Sequence, residues 1–271
     1  MQLHDRPIII TGGGSGIGAA TARACAAAGM PVVIAGRRRE SLSQIASGIE
    51  HAGGQCIGVP VDVTDPDHTG VLLEACASAF APAWAVFANA GRGLDRVGHK
   101  TSLEDMRSIF EVNVFATQQL LAHAARDMLQ RDTGGHLLAC SSCVARFAPP
   151  YHAAYSATKA AQDLVCQSMR VELAPRGIHV STVHPVATTT EFFDVSASIS
   201  GREDHPSGLE QTPPLFRQSA ERVARAVVRC LKHPRPEVWP SRLARYGAAL
   251  HAFFPRLFDP ACRRLLDPDR L

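Results

Sequence analysis

Residues 6–18 read RPIIITGGGSGIG, and the reading of this stretch decides the fold. Ile8, Ile9 and Ile10 form a β-branched run with no polar alternation, the pattern of a strand buried on both faces. Thr11 ends the run, and Gly12, Gly13, Gly14, Ser15, Gly16, Ile17 and Gly18 follow before an alanine-rich helical pattern that closes at Gly29. A strand–glycine turn–helix junction lets backbone N–H groups approach a pyrophosphate, and the helix N-terminus favours its charge. The spacing at 12, 16 and 18 is G-x-x-x-G-x-G rather than G-x-G-x-x-G, so an ordinary tight turn is the competing reading until the rest of the chain is considered.

Working outward, the same alternation recurs. Apolar runs PVVIAG, CIGVPV, AWAVFAN, HLLACS, IHVSTVHP and EVWP are separated by longer helical patterns. Near-continuous apolar strands alternating with helices predict a parallel sheet covered on both faces, and right-handed crossovers leave an α/β doubly wound fold. No repeat, linker or composition shift precedes about residue 235, so one domain over 1–240 is expected, with residues 241–271 as a C-terminal extension.

The chain has 271 residues, 46% of them hydrophobic and 20% charged, which supports a substantial core. Its net charge is only +3, and residues 240–271 carry six arginines against three aspartates, the whole of that excess. A nucleic-acid partner is therefore not expected. Eight scattered cysteines form no disulfide framework and point to a reduced, cytoplasmic protein. The opening MQLHDRPIII lacks the pattern of a signal peptide, and no run of about 18 apolar residues is present. Twelve histidines show no ligand spacing with acids or cysteines, so no metal is expected.

TGGGSGIG at 11–18, Asn89-Ala90-Gly91, Asn113 in FEVNV and Tyr155-Ser156-Ala157-Thr158-Lys159 occur in that order. Together they resemble the short-chain dehydrogenase/reductase family over roughly residues 5–240. The resemblance implies a Rossmann-like fold with a seven-stranded parallel sheet, a nicotinamide cofactor and hydride transfer between the nicotinamide and a carbonyl carbon.

Tyr155 and Lys159 are four residues apart, on one face of a helix. Free tyrosine titrates near 10, and bringing it to between 7 and 8 takes about 3–4 kcal/mol, which an adjacent cation can supply. The resemblance makes Tyr155 the general acid/base, with Lys159 lowering its pKa and binding the nicotinamide ribose. Cys140-Ser141-Ser142-Cys143 reads either as C-x-x-C or as a serine pair. Cys140 ends an apolar strand instead of opening a helix, which disfavours a redox pair. Ser142 lies thirteen residues before Tyr155, the separation at which the family places its carbonyl-orienting serine. Asn113 is implied to support a proton relay by perturbing its helix.

Gly12, Ser15, Gly16, Ile17 and Gly18 are the expected phosphate contacts. After the second strand, Gly36 stands where an acidic residue would accept ribose hydroxyls, and Arg37 and Arg38 follow, so NADP(H) is expected over NAD(H). The resemblance places Asp62 and Val63 at the adenine, Asn89, Ala90 and Gly91 behind the ribose, and Thr188 and Thr190 at the nicotinamide amide and phosphates. Asp62 or Thr64 capping the next helix is the plainer alternative. Val186 replaces the family's usual glycine after Pro185, which puts the backbone there in question, because valine disfavours positive φ.

Residues 190–217 have the length and irregularity of a substrate lid. The segment 242–254 alternates apolar residues with Arg242, Arg245 and His251 as an amphipathic helix. It suits packing over the cleft or a neighbouring subunit, peripheral contact with a membrane through 241–266, or a solvated tail. The expected protein is an NADP(H)-dependent carbonyl reductase or alcohol dehydrogenase, as a homodimer or homotetramer, for a small molecule that is fairly apolar, given Phe147, Phe192, Phe193, Leu215 and Phe216 near the expected cleft. The alternative is a non-catalytic NADP(H)-binding sensor or scaffold of the same fold.

Overall fold

The computed structural model describes residues 2–201, 209, 212–263 and 266. Seven strands form one parallel sheet: β1 (Ile8–Thr11), β2 (Val32–Gly36), β3 (Cys56–Pro60), β4 (Ala85–Ala88), β5 (Gly135–Cys140), β6 (Ile178–Val183) and β9 (Glu237–Val238). Their order is β3-β2-β1-β4-β5-β6-β9. A separate parallel pair, β7 (Ala187–Thr189) and β8 (Arg217–Ser219), was not foreseen from the apolar pattern because its strands are short and half polar. Pro60, which cannot donate to a ladder, sits on the edge strand β3.

Alternate residues of the central strands feed two cores. Ile8 and Ile10 face α1 (Gly16–Ala26), α2 (Arg39–His51) and α8 (Ala220–Lys232), packing with Cys25, Leu42 and Val227. Ile9 faces α3 (His68–Ala79), α5 (Ala116–Arg131) and α6 (Ala153–Leu173), packing with Leu72, Leu121 and Cys166. Burial on both faces is why the strands read as continuous apolar runs. The sheet reverses winding between β1 and β4, and the carboxyl ends of those strands are where a doubly wound sheet offers its crevice.

Two elements add to the expected pattern. After the capped helix α4 (Leu103–Phe110), residues Glu111–Phe115 form a π-helical turn carrying Asn113. Within the expected lid, Phe192–Ile199 folds as α7, so this segment is less irregular than its composition suggested, while 202–208 and 210–211 lie outside the described residues. The tail forms α9 (Arg242–Phe253) and α10 (Asp259–Arg263). Of the readings open for this helix, packing on the body is made by its small residues: α9 seats through Ala244 and Ala248, which are buried, while Leu243, Tyr246, Leu250 and Phe253 are exposed. Small residues let the helix backbone come close to the Cys143 turn and Val186, which share its core. Residues 264–265 and 267–271 of the extension lie outside the described residues.

Candidate active site

The glycine turn joins β1 to α1 with Gly12 at φ +65° and Gly16 at φ +51°, conformations that L side chains rarely adopt. A Cβ on Gly18 would fall 2.1 Å from the Gly12 carbonyl oxygen. One on Gly16 would fall 2.9 Å from Thr190 Cγ2, so the segment after β7 lies directly against the turn. Ser15 occupies the N-cap of α1 in an extended conformation, and its side chain caps nothing. The first-turn N–H groups therefore have neither an intrahelical acceptor nor a side-chain one, as an anion cradle requires. The cradle fits the pyrophosphate of a dinucleotide.

Asn89 is built into this cradle. Its Nδ2 donates to the carbonyls of Thr11 at 2.9 Å and Gly12 at 3.4 Å, and the N–H groups of Asn89 and Ala90 both donate to Thr11 Oγ1 at 3.0 Å. Gly91 lies beside Asn113 and Lys159, since a Cβ there would meet Asn113 Oδ1 at 3.1 Å and Lys159 Nζ at 3.5 Å.

At the outer end of the crevice Arg37 and Arg38 are exposed. Arg38 pairs with Glu191 at 2.7 Å, a contact the sequence did not indicate. Asp62 is also exposed, with the partly buried Val63 beside it, and its Oδ1 accepts from Thr64 N at 3.0 Å and Thr64 Oγ1 at 2.8 Å. Those hydrogen bonds, followed by the nearby Arg37 among other charges, hold its carboxyl below the usual range. Neither Asp62 nor Thr64 caps a helix, because α3 starts only at His68 with Asp67 as its N-cap residue.

Ser142, Tyr155 and Lys159 meet at the carboxyl end of β5. Ser142 is buried, and its Oγ accepts from Val144 N at 3.3 Å while opening a short 3-10 turn, Cys143–Ala145. The Ser142 hydroxyl lies near enough to that of Tyr155 to favour its ionised form. Lys159 is buried, donates from Nζ to the Cys140 carbonyl at 2.7 Å, and lies 5.6 Å from the Tyr155 ring centroid. Ser141 points elsewhere: its hydroxyl donates to the Lys159 carbonyl at 3.3 Å, tying β5 to α6.

The electrostatics differ from the expectation at one point. Burial raises the Tyr155 hydroxyl above its ordinary 10, the Cys140 and Cys143 thiols push the same way, and the Ser142 hydrogen bond acts against them. Lys159 is shifted as well. Burial lowers its own pKa, with Cys140 and Asp163 opposing, and its ammonium is turned to a backbone carbonyl.

Asn113 is fully buried. Its Oδ1 accepts from Arg92 N at 2.9 Å, and its Nδ2 donates to the Arg92 carbonyl and to Thr158 Oγ1, both at 3.0 Å. Its carbonyl, in the π-helical turn, accepts from Gln162 Nε2 at 2.5 Å. Val186 is not among the residues with positive φ, so the missing glycine imposes no strain, and its side chain is buried beside Cys143. The Thr188 hydroxyl donates to the Val186 carbonyl at 2.8 Å and accepts from Gln218 at 3.2 Å, so it is already engaged.

Sequence reading missed several contributors. His184 is fully buried, its Nδ1 donates to the Ser142 carbonyl at 3.2 Å, and it stacks on Trp239 at 4.3 Å. Phe192 of α7, by contrast, lies beside the cleft as the sequence suggested, its ring centroid 5.5 Å from that of Tyr155. Tyr151 holds φ +70°, uncommon for a bulky residue, four residues before Tyr155. A histidine beside a strand end carries no signal of such contacts. Among the described residues no group of three His, Cys, Asp or Glu side chains converges as a metal site would need.

The family model described as short chain dehydrogenase matches residues 6–198. An uncharacterized oxidoreductase, MT0954, of Mycobacterium tuberculosis is 32% identical over 216 residues, covering 80% of this chain and 81% of its own length. The ketoacyl reductase HetN of Nostoc sp. is 27% identical over 236 residues, covering 87% and 78%. Among solved structures, a short chain dehydrogenase/reductase from Burkholderia phymatum in complex with NAD superposes with a TM-score of 0.83 at 23% identity, covering 95% of this chain and 96% of that one.

Proposed function

Since the chain belongs to the short chain dehydrogenase family, whose fold binds NAD(P) and whose members are oxidoreductases, we propose that it reduces a carbonyl, or oxidises the matching secondary alcohol, of a fairly apolar small molecule with NADP(H). The observation that carries this reading is the meeting of Ser142, Tyr155 and Lys159 within reach of the glycine cradle, with Gly91 packed against Lys159. When bound, the nicotinamide supplies or accepts the hydride.

The chain's own residues divide the remaining work. Gly12, Ser15, Gly16, Ile17 and Gly18 would hold the phosphates, with Thr190 against Gly16 closing that wall. Asp62 and Val63 would border the adenine, and Asn89, Ala90 and Gly91 shape the floor of the crevice. Thr188 would serve less through its occupied hydroxyl than by fixing the chain after Pro185. Ser142 would donate a hydrogen bond to the carbonyl oxygen, where charge develops, and Tyr155 would donate its proton there. A phenol kept neutral by burial suits that donor role in the reductive direction. Lys159 is placed to stabilise the phenolate left behind, at the moment when burial makes that charge most costly. Asn113 holds α4, α6 and the Arg92 segment in register, which supports a positioning role.

Arg37 and Arg38 support NADP(H): two guanidinium groups follow β2 where no acid stands to take the ribose hydroxyls. Arg38 would have to exchange Glu191 for a 2′-phosphate. Phe147 and Phe192 support an apolar substrate. The reading is tested by titrating the chain with NADPH and NADH, then screening ketones, aldehydes and steroids for loss of reduced nicotinamide absorbance. Tighter NADH binding sinks the cofactor assignment, and full turnover by Tyr155→Phe sinks the mechanism.

A further inference from the structure

We propose that the arginine-lined cleft between α8 and α9, together with the outward face of α9, docks this chain onto an anionic phospholipid surface. The cleft has a volume of about 580 Å³ and is lined by Arg222, Arg229, Arg235 and Arg242, with Trp239 and Leu243 among its walls. Among the described residues no acid lines it. Arg222 spends its Nε on the Pro240 carbonyl at 3.1 Å. Among the described residues none of the four arginines forms an ion pair. Of the nearby acids, Glu237 is held by Arg146 and Trp239, and Glu221 stands in the first turn of α8. The N-terminus of α9, capped by Ser241, opens at the cleft and adds its own preference for an anion.

Leu243 belongs to both the cleft and the exposed face of α9. Leu243, Tyr246, Leu250 and Phe253 follow helical spacing along one stripe, with Tyr246 70% and Phe253 79% exposed, and Phe254 beside them. The opposite stripe, Ala244 and Ala248, is already buried against the body. A large apolar stripe turned outward next to a cluster of unpaired cations matches a bilayer interface, where acyl chains take the stripe and headgroup phosphates take the arginines. No helix among the described residues is long and apolar enough to cross a membrane, so α9 would lie in the interface plane.

Two other occupants fit less well. A second copy in a two-fold contact would bring the same four cations onto one another. A nucleic acid would satisfy the arginines and leave the Leu243–Phe253 stripe in water.

The test is co-sedimentation of the full chain with vesicles of phosphatidylcholine alone, and with vesicles about one-third phosphatidylglycerol. Binding to the anionic vesicles only, weakening as salt rises, is expected. Arg229→Gln with Arg235→Gln should lower that binding roughly thirtyfold, at about a headgroup interaction lost per charge. Leu250→Ser with Phe253→Ser, both exposed, should lower it as well, with thermal unfolding checking that each variant folds. Equal binding to neutral vesicles, no binding at low ionic strength, or indifference to both double variants overturns the proposal. Displacement from vesicles by inorganic phosphate beyond that by chloride of equal ionic strength, without dependence on Phe253, assigns the cleft to a soluble anion and also overturns it. So does binding of a DNA duplex in place of vesicles, or self-association lost on Phe253→Ser without vesicle binding.

Discussion

Ser141 and Ser142 are neighbours with opposite assignments, and the difference is testable. Ser142 ends in the crevice near Tyr155, whereas Ser141 donates its hydroxyl to the Lys159 carbonyl under α6. Ser142→Ala is expected to lower kcat/KM by about 10²–10³-fold with little change in unfolding free energy, the usual loss for one oxyanion donor. Ser141→Ala should instead cost roughly 1 kcal/mol in denaturant unfolding, as expected for one buried hydrogen bond, and leave turnover within a few fold. Tyr155 yields a second prediction. Because burial raises its pKa, a spectrophotometric titration of the cofactor-free chain should show no phenolate from Tyr155 near neutral pH. A Tyr155→Phe variant gives the difference spectrum, and a phenolate titrating between 7 and 8 would contradict the account. That Ser142, and not Ser141, would lie near Tyr155 was legible because a fixed separation in the sequence selects it. The direction of the Tyr155 shift was not, because it depends on how deeply the hydroxyl is buried once the chain has folded.

Strands, helices and the segments between them differed in how openly the sequence declared them. The sheet strands were legible because burial on both faces leaves their runs mostly apolar, with no regular polar alternation. The π-helical turn at Glu111–Phe115 was not, since it is visible in the sequence only as the buried Asn113 that needs partners. The C-terminal helix was legible as a helix but not in its orientation, because periodicity gives a stripe without saying which side meets the body. In β5 the strand burial has a further consequence. His136 is fully buried beside Ser181, and burial lowers its pKa to about 3 from 6.5. A depressed folded-state pKa gives stability that is present above 6.5 and is lost as pH falls toward 3. Unfolding free energy should therefore drop by about 1.4 kcal/mol per pH unit through that window from this residue alone. Denaturant melts between pH 7 and pH 5 check it, and His136→Gln should flatten the slope relative to the native chain.

Across the whole molecule, the crevice is assembled from distant parts: the glycine turn, Asn89 after β4, Ser142 after β5, the α6 pair and Thr190 after β7. Ordered motifs revealed that set, while the clasp between Arg38 and Glu191 has no sequence signature because its partners lie 153 residues apart. Arg37→Ser should weaken NADPH about tenfold or more while changing NADH little, since a charged hydrogen bond to phosphate is worth about 1.5–3 kcal/mol. Fluorescence titration with both cofactors reads this directly, and equal weakening of the two would contradict the assignment. The central claim is proton donation by Tyr155 to a carbonyl oxygen during hydride transfer, and it is tested by comparing native chain and Tyr155→Phe on the first ketone or aldehyde found to oxidise NADPH. The account predicts a loss in kcat of about 10²-fold or more with NADPH affinity retained. Turnover by Tyr155→Phe equal to that of the native chain would contradict it.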